Sequence, residues 1–208
     1  MFDLPRTRTG NDGIWTIIDR FSKLAHFIPV RKKINAKHMV KLFMHNVFKY
    51  HGLPSSIISD RDPRMTSLFW RALFENMNTT LKFSSSFHPQ TDGQLEIANS
   101  IVLDLLKCYV YDQKEKWGQY LSLVEYAYNN TVHSSTGKAP FEIVEGTKKV
   151  PPILRTKDKI FEADKYVDNW EEAYVKVEEA LQKLRKSIRK QQINIADLWS
   201  LLWVIGYC

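Results

Sequence analysis

Cysteine is scarce in these 208 residues: Cys108 and Cys208 are the only two. That excludes a disulfide framework and any zinc site assembled from several thiolates. The 6 histidines lack the paired spacing of a zinc module, so no zinc site is expected in this chain. Long hydrophobic runs are missing too. The longest candidate, LWSLLWVIGYC, falls short of the roughly 18 residues that a bilayer-crossing helix needs. Its terminal Cys leaves no prenylation box. Polar and charged residues interrupt the opening of the chain repeatedly, so no secretory signal is expected. Acidic residues are in deficit, with 23 Asp and Glu against 30 Lys and Arg, a net charge of +7. Such a balance suits a polyanionic partner without requiring one. The expected address is nucleus or cytoplasm, with no membrane partner.

What is present reads as an α/β domain. GIWTIIDRFSKLAHFIPV is rich in β-branched and aromatic residues and predicts two strands, 13–19 and 24–30, meeting at a polar corner. Met39, Val40, Phe43, Val47 and Phe48 recur at helical spacing before Gly52 stops the pattern. LPSSIISD is a short apolar strand ending on Asp60, SLFWRALFENM a helix, and TTLKFSSSF another strand. HPQTDGQ has turn chemistry; a long helix is predicted over 95–111, a further one over 117–129, and a last helical turn at FEIV. Strands followed by αβαβ and αα predict a mixed sheet with helices packed against it over 1–150. A linker is expected over 151–163. Beyond it Val167, Trp170, Tyr174, Val177, Leu181, Leu184 and Ile188 alternate at spacings of three and four. This predicts an amphipathic heptad-like helix over 164–192, able to fold back on the core or to pair with another chain. Residues 193–208 form an apolar tail with no assigned role.

Two carboxylates stand out. Asp60 ends an apolar strand, a place from which side chains of α/β folds point into sites. SDRDP is equally a turn in which Asp60 or Asp62 accepts a local backbone hydrogen bond. Glu96 sits near the start of the long helix, where the helix dipole alone would account for it. Taken together, a strand-end Asp and a helix-borne Glu across a cleft suit a hard divalent cation such as Mg²⁺.

SDRDPRMTSLFW, FSSSFHPQTDGQLE and YNNTVHSSTGKAPFE, with IIDRFSKLAHFIPV and YHGLPSSIISD, resemble the integrase catalytic core of gypsy-like long-terminal-repeat retrotransposons, within the retroviral-type integrases. The resemblance runs from residue 1 to about 146. It implies a ribonuclease H-like mixed sheet flanked by helices, and metal-dependent polynucleotidyl transfer on DNA: 3′-end processing and strand transfer. It implies an Asp, Asp, Glu triad holding two Mg²⁺ or Mn²⁺ ions. Asp60 and Glu96, with thirty-five residues between them, match the last two members. By the register of Leu4-Pro5, the first member falls upstream of Met1. The expected sheet is therefore incomplete at its first strand, and the expected enzyme is a truncated copy with impaired catalysis. Asp3 is a doubtful third ligand, because register is strongly specified where one face of a strand is buried. The resemblance further implies DNA contacts at Arg61, Arg64, Phe87, His88, Gln90, Asn99 and Lys107. Lys107 would partly replace basic residues that retroviral relatives carry where this chain has Ser100 and Leu103. Implied partners are the element's DNA ends, target DNA and further copies of the chain. Two alternatives stand beside this one: an intact enzyme completed by Asp3 or another carboxylate, and a non-enzymatic DNA-binding or self-associating remnant working through the heptad helix.

Overall fold

A computed structural model describes residues 3–83, 89–110, 114–149 and 203–206, with the isolated positions 175 and 179. Its centre is a five-stranded sheet of order β2-β1-β5-β3-β4. β1 (Gly13–Asp19) is buried along its whole length, as a near-continuous apolar strand covered on both faces must be. It pairs antiparallel with β2 (Ala25–Val30), Gly13 opposite Val30 and Ile18 opposite Ala25. β3 (Ser56–Ser59) pairs parallel with β4 (Thr80–Phe83).

The place between β1 and β3 is filled from the other end of the chain. β5 (Trp203–Gly206) runs antiparallel to β1 and parallel to β3. The sheet is thus the expected mixed ribonuclease H-like one, but the gap anticipated at its missing strand is not a gap. An apolar segment closes two unpaired ladders at once, which satisfies backbone groups that would otherwise be left open at the centre of the sheet.

Alternation along β1 sends its side chains to two cores. Ile14 and Ile18 pack with Phe27 under α4 (Pro89–Tyr109) and α5 (Trp117–Asn129), against Leu95, Ala98, Val102, Leu105, Leu121 and Val124. Trp15 and Ile17 pack on the opposite face with α1 (Ala36–Phe43) and α3 (Leu68–Asn76), through Met39, Phe43, Trp70 and Phe74. Asn35 caps α1 and Ser67 caps α3, each accepting from a backbone N–H of the first turn, the usual remedy for unpaired amides there. The helical pattern after α1 passes through one π-helical turn, Met44–Phe48, into the short α2 (Lys49–His51), and ends where Gly52 takes φ 73°. α6 (Pro140–Glu145) closes the domain.

α4 begins at Pro89, not near Leu95, so PQTDGQ is helix and not turn. Pro89 takes the first helical position, where a missing N–H costs nothing, and Gly93 lies inside the helix with open space around its Cα. The linker expected over 151–163 and the heptad helix lie outside the described residues, apart from Val175 and Glu179, which are helical.

Candidate functional site

The carboxyl end of β3 is built by its turn. Asp62 accepts from Arg64 N at 2.8 Å and from Arg64 Nε at 2.7 Å, and its second oxygen pairs with the Arg64 guanidinium. Arg64 Nη1 also donates to Lys32 O at 3.2 Å. Burial pushes the Asp62 carboxyl up, but hydrogen bonds and charge from Arg64 outweigh it and leave the group below the usual carboxylate range. Asp62 and Arg64 therefore brace the turn. Asp60, half-buried at the end of β3, accepts a 3.3 Å bond from Asp62 N. The turn reading of SDRDP holds, with Asp62 as its main anchor and Asp60 accepting a local backbone bond.

Glu96 is exposed on α4, beside the buried stripe of Leu95, Ala98 and Val102. Three residues on, and so on nearly the same side of the helix, Asn99 is buried and accepts a 2.7 Å hydrogen bond from Thr16 Oγ1 of β1. This bond ties the Glu96 turn of α4 to the centre of the sheet. Its Nδ2 and the Gln94 Oε1 are buried without a hydrogen-bond partner.

The other expected site residues fall as follows. Asn99 is corrected: at 4% exposure it is a buried strut between helix and sheet, not a DNA-facing side chain. Nothing local marks it as buried, because the Thr16 hydroxyl that donates to its Oδ1 lies 83 residues away in sequence. Arg64 spends its guanidinium on the turn. Arg61 is exposed beside Asp60. Lys107, largely exposed, pairs with Asp104 at 2.9 Å. Phe87 and His88 lie outside the described residues, and of Gln90 only the helical backbone is described. Asp3 is exposed and pairs with Lys32 Nζ at 2.7 Å. Among the described residues no three His, Cys, Asp or Glu side chains come together to hold a metal ion. Asp3 belongs to no such group. Asp60 and Glu96 offer hard oxygen donors in the number that suits one Mg²⁺ keeping several waters; the residues present do not fit a two-ion cluster.

Sequence reasoning missed the polar ladder of α5. Glu125 Oε2 accepts from Phe27 N at 2.8 Å, and Asn129 both accepts from Ala25 N and donates to Ala25 O at 2.8 Å. Four apart on one face of an apolar helix, these two side chains cover the outer edge of β2 as a neighbouring strand would. Glu125 Oε1 also meets His26 Nδ1, whose Nε2 lies 3.0 Å from His51 Nε2. The signal was present in VEYAYNN as polar residues at core spacing.

No family model matches the chain. Over 136 residues, 65% of its length, it is 40% identical to the Transposon Tf2-3 polyprotein of Schizosaccharomyces pombe, and the same holds for the Tf2-4 polyprotein. The match spans 10% of each polyprotein, so the chain covers about a tenth of the length of these curated relatives. Among solved structures, a chain of the simian T-cell lymphotropic virus intasome in complex with PP2A regulatory subunit B56 gamma superposes with TM-score 0.56 at 19% identity, over 74% of this chain and 55% of that one. The HTLV-2 integrase catalytic core domain in complex with magnesium, in its dimeric form, gives 0.53 at 18%, over 67% and 89%. The catalytic core domain of BIV integrase gives 0.54 at 21%, over 69% and 91%. No helix among the described residues is long and apolar enough to cross a membrane.

Proposed function

We propose, for a chain that belongs with the integrase catalytic cores of long-terminal-repeat retrotransposons, a role in DNA integration: metal-dependent polynucleotidyl transfer at DNA ends, with impaired catalysis in this copy. One observation carries the reading. Asp60 stands at the carboxyl end of β3, and Glu96 lies on the helix that Asn99 ties to the same sheet. That juxtaposition supports a divalent cation held between two carboxylates, which when bound would neutralise charge at a scissile phosphate. The protein's own share is positioning: the Asp62–Arg64 brace fixes Asp60, and the Thr16–Asn99 bond fixes the turn of Glu96. The net charge of +7, with Arg61 and Lys107 exposed, supports phosphate-driven binding to DNA. A partner of the same kind, a second copy of the chain, is supported by the dimeric form named for the HTLV-2 core.

The proposed impairment rests on the ligand count among the described residues, where two carboxylates would hold a pair of divalent ions poorly. The test is a nicking and strand-transfer assay on linear duplex DNA with Mg²⁺ or Mn²⁺, run beside Asp60→Asn. The expected result is turnover no higher than that of Asp60→Asn, together with DNA binding that weakens steeply as salt rises. Robust transfer abolished by Asp60→Asn would overturn the impairment, and salt-insensitive binding would overturn the phosphate-driven contact.

A further inference from the structure

Three elements meet beside the outer edge of β2 around a pair of histidines. His26 stands opposite Ile17, so alternation places it on the face of the sheet that α1 and α3 cover. His51 is the last residue of α2, where the chain turns at Gly52. Glu125 reaches the pair from α5. The two Nε2 atoms face one another at 3.0 Å, with ring centroids 5.2 Å apart and ring planes tilted by 42°. The 25 residues between them in sequence hide this pair from any reading of ligand spacing.

The carboxylate decides what the pair can do. An ionised carboxylate only accepts, so Glu125 Oε1, at 3.0 Å, holds the proton of His26 on Nδ1. In the neutral ring that leaves Nε2 with its lone pair, directed at His51. Glu125 is itself held, through the 2.8 Å bond that its other oxygen accepts from Phe27 N. A fixed carboxylate on the far N–H is how metal-binding imidazoles are oriented and made more basic. At 3.0 Å, His51 answers the His26 lone pair by donating its own Nε2–H. With the His51 proton on Nδ1 instead, two imidazole lone pairs would share one gap. Zn–N bonds of roughly 2.0–2.1 Å in tetrahedral geometry set two nitrogens about 3.3 Å apart. The pair stands within a few tenths of an ångström of that spacing.

We propose that His26 and His51 form a two-histidine site for a divalent transition-metal ion of the Zn²⁺ class, with water in the remaining positions. The ion takes the place of the bridging proton. His51 shifts its N–H from Nε2 to Nδ1, each Nε2 gives its lone pair to the ion, and no proton is lost. Imidazole nitrogens suit Zn²⁺ whereas carboxylate oxygens suit Mg²⁺, so this site and the Asp60–Glu96 pair select different ions. Among the described residues no third such side chain joins the histidines as a ligand. Two protein ligands are fewer than resident zinc sites use, and the ion is accordingly exchangeable. Bound there, it ties the end of α2 to the edge strand β2, beside the cover that Glu125 and Asn129 already provide. The proposal does not rest on the integration reading.

Zn²⁺ titrations of the full-length chain test it, run in excess Mg²⁺ so that oxygen sites are already occupied. Calorimetry should show Zn²⁺ binding that weakens on the order of tenfold or more in His26→Gln and in His51→Gln. The same binding should be unchanged in Asp60→Asn. Nitrogen spectra of the histidine rings in the unaltered chain supply a readout that needs no variant. The Nε2 signals of His26 and His51 should shift together and saturate at the same Zn²⁺ concentration. Shifts confined to other histidines, no Zn²⁺ binding at all, or an affinity that a folded His51→Gln chain retains would each overturn the site. An affinity lost in Asp60→Asn and kept in His51→Gln would overturn it too, and assign the ion to the carboxylates. Nicking activity enters neither readout, so a failure here is distinguishable from a failure of the integration reading.

Discussion

The outer edge of β2 offers the sharpest stability test. Asp19 N donates to Leu24 O, so the N–H and C=O of the next residue, Ala25, point away from β1 and toward the sheet's margin. Asn129, 1% exposed, takes up both at 2.8 Å. Asn129→Ala removes two buried hydrogen bonds and leaves a donor and an acceptor without partners. A net loss of about 2–4 kcal/mol is expected, from the cost of stranding two buried groups. For a chain of this length, that corresponds to a Tm lower by roughly 4–16 °C. Thermal melts followed by circular dichroism, with urea midpoints at unchanged slope, would measure it. Asn129→Asp is a useful companion: it keeps the acceptor for Ala25 N, sets a carboxylate against Ala25 O, and should be no more stable than the Ala variant. A loss below about 1 kcal/mol in Asn129→Ala would refute the reasoning, because it would mean that water replaces the amide at an edge taken to be dry.

Three further outcomes follow from the same geometry. Gly93→Ala, inside α4 with nothing within 4 Å of the added methyl, should raise stability by about 0.5–1 kcal/mol, read as a higher Tm. Phe74→Ala removes a fully buried ring packed edge-on to Phe43 at 5.3 Å and against Trp70 at 4.7 Å; a loss of about 3–5 kcal/mol is expected in denaturant unfolding. Burial, and then the neighbouring His26, lower the His51 pKa, with Asp19 and Glu145 pulling the other way and Glu125 holding the far nitrogen of His26. A neutral His51 therefore adds stability above the ordinary histidine value of about 6.5 that is lost as pH falls through the lowered one. His51→Gln should flatten the acid limb of a Tm–pH profile, and an unchanged limb would dismiss the histidine pair as its cause.

Most of the scaffold was legible because its signals are local. Seven consecutive buried positions in β1 and the capped, periodic α1 and α3 announce themselves within a few residues. Three things were not legible, each because it depends on distant partners. WVIG reads as a strand or a buried helical turn with equal ease; only two open ladders, one on β1 and one on β3, select the strand. Asn99 reads as a polar surface residue until Thr16 is brought to it. Glu125 and Asn129 read as helix polarity until the edge of β2 lies beneath them. The start of α4 was misjudged for a different reason. Pro, Thr, Asp and Gly together imitate a turn, whereas Pro89 at the first helical position and an Asp in the first turn suit a helix start equally well.

Structural support around the two candidate carboxylates comes from neighbouring side chains. Asp62 and Arg64 hold the turn after β3, and Thr16 and Asn99 hold α4 to the sheet. Asp60 accepts a 3.3 Å bond from Asp62 N of the first brace, and Glu96 is exposed on its helix. The Glu96 carboxylate takes no part in either brace. Glu96→Gln is accordingly expected to keep the Tm of the unaltered chain, while Arg64→Ala lowers it by stranding Asp62. If Glu96→Gln melted as early as Arg64→Ala, the Glu96 carboxylate would belong to a brace after all.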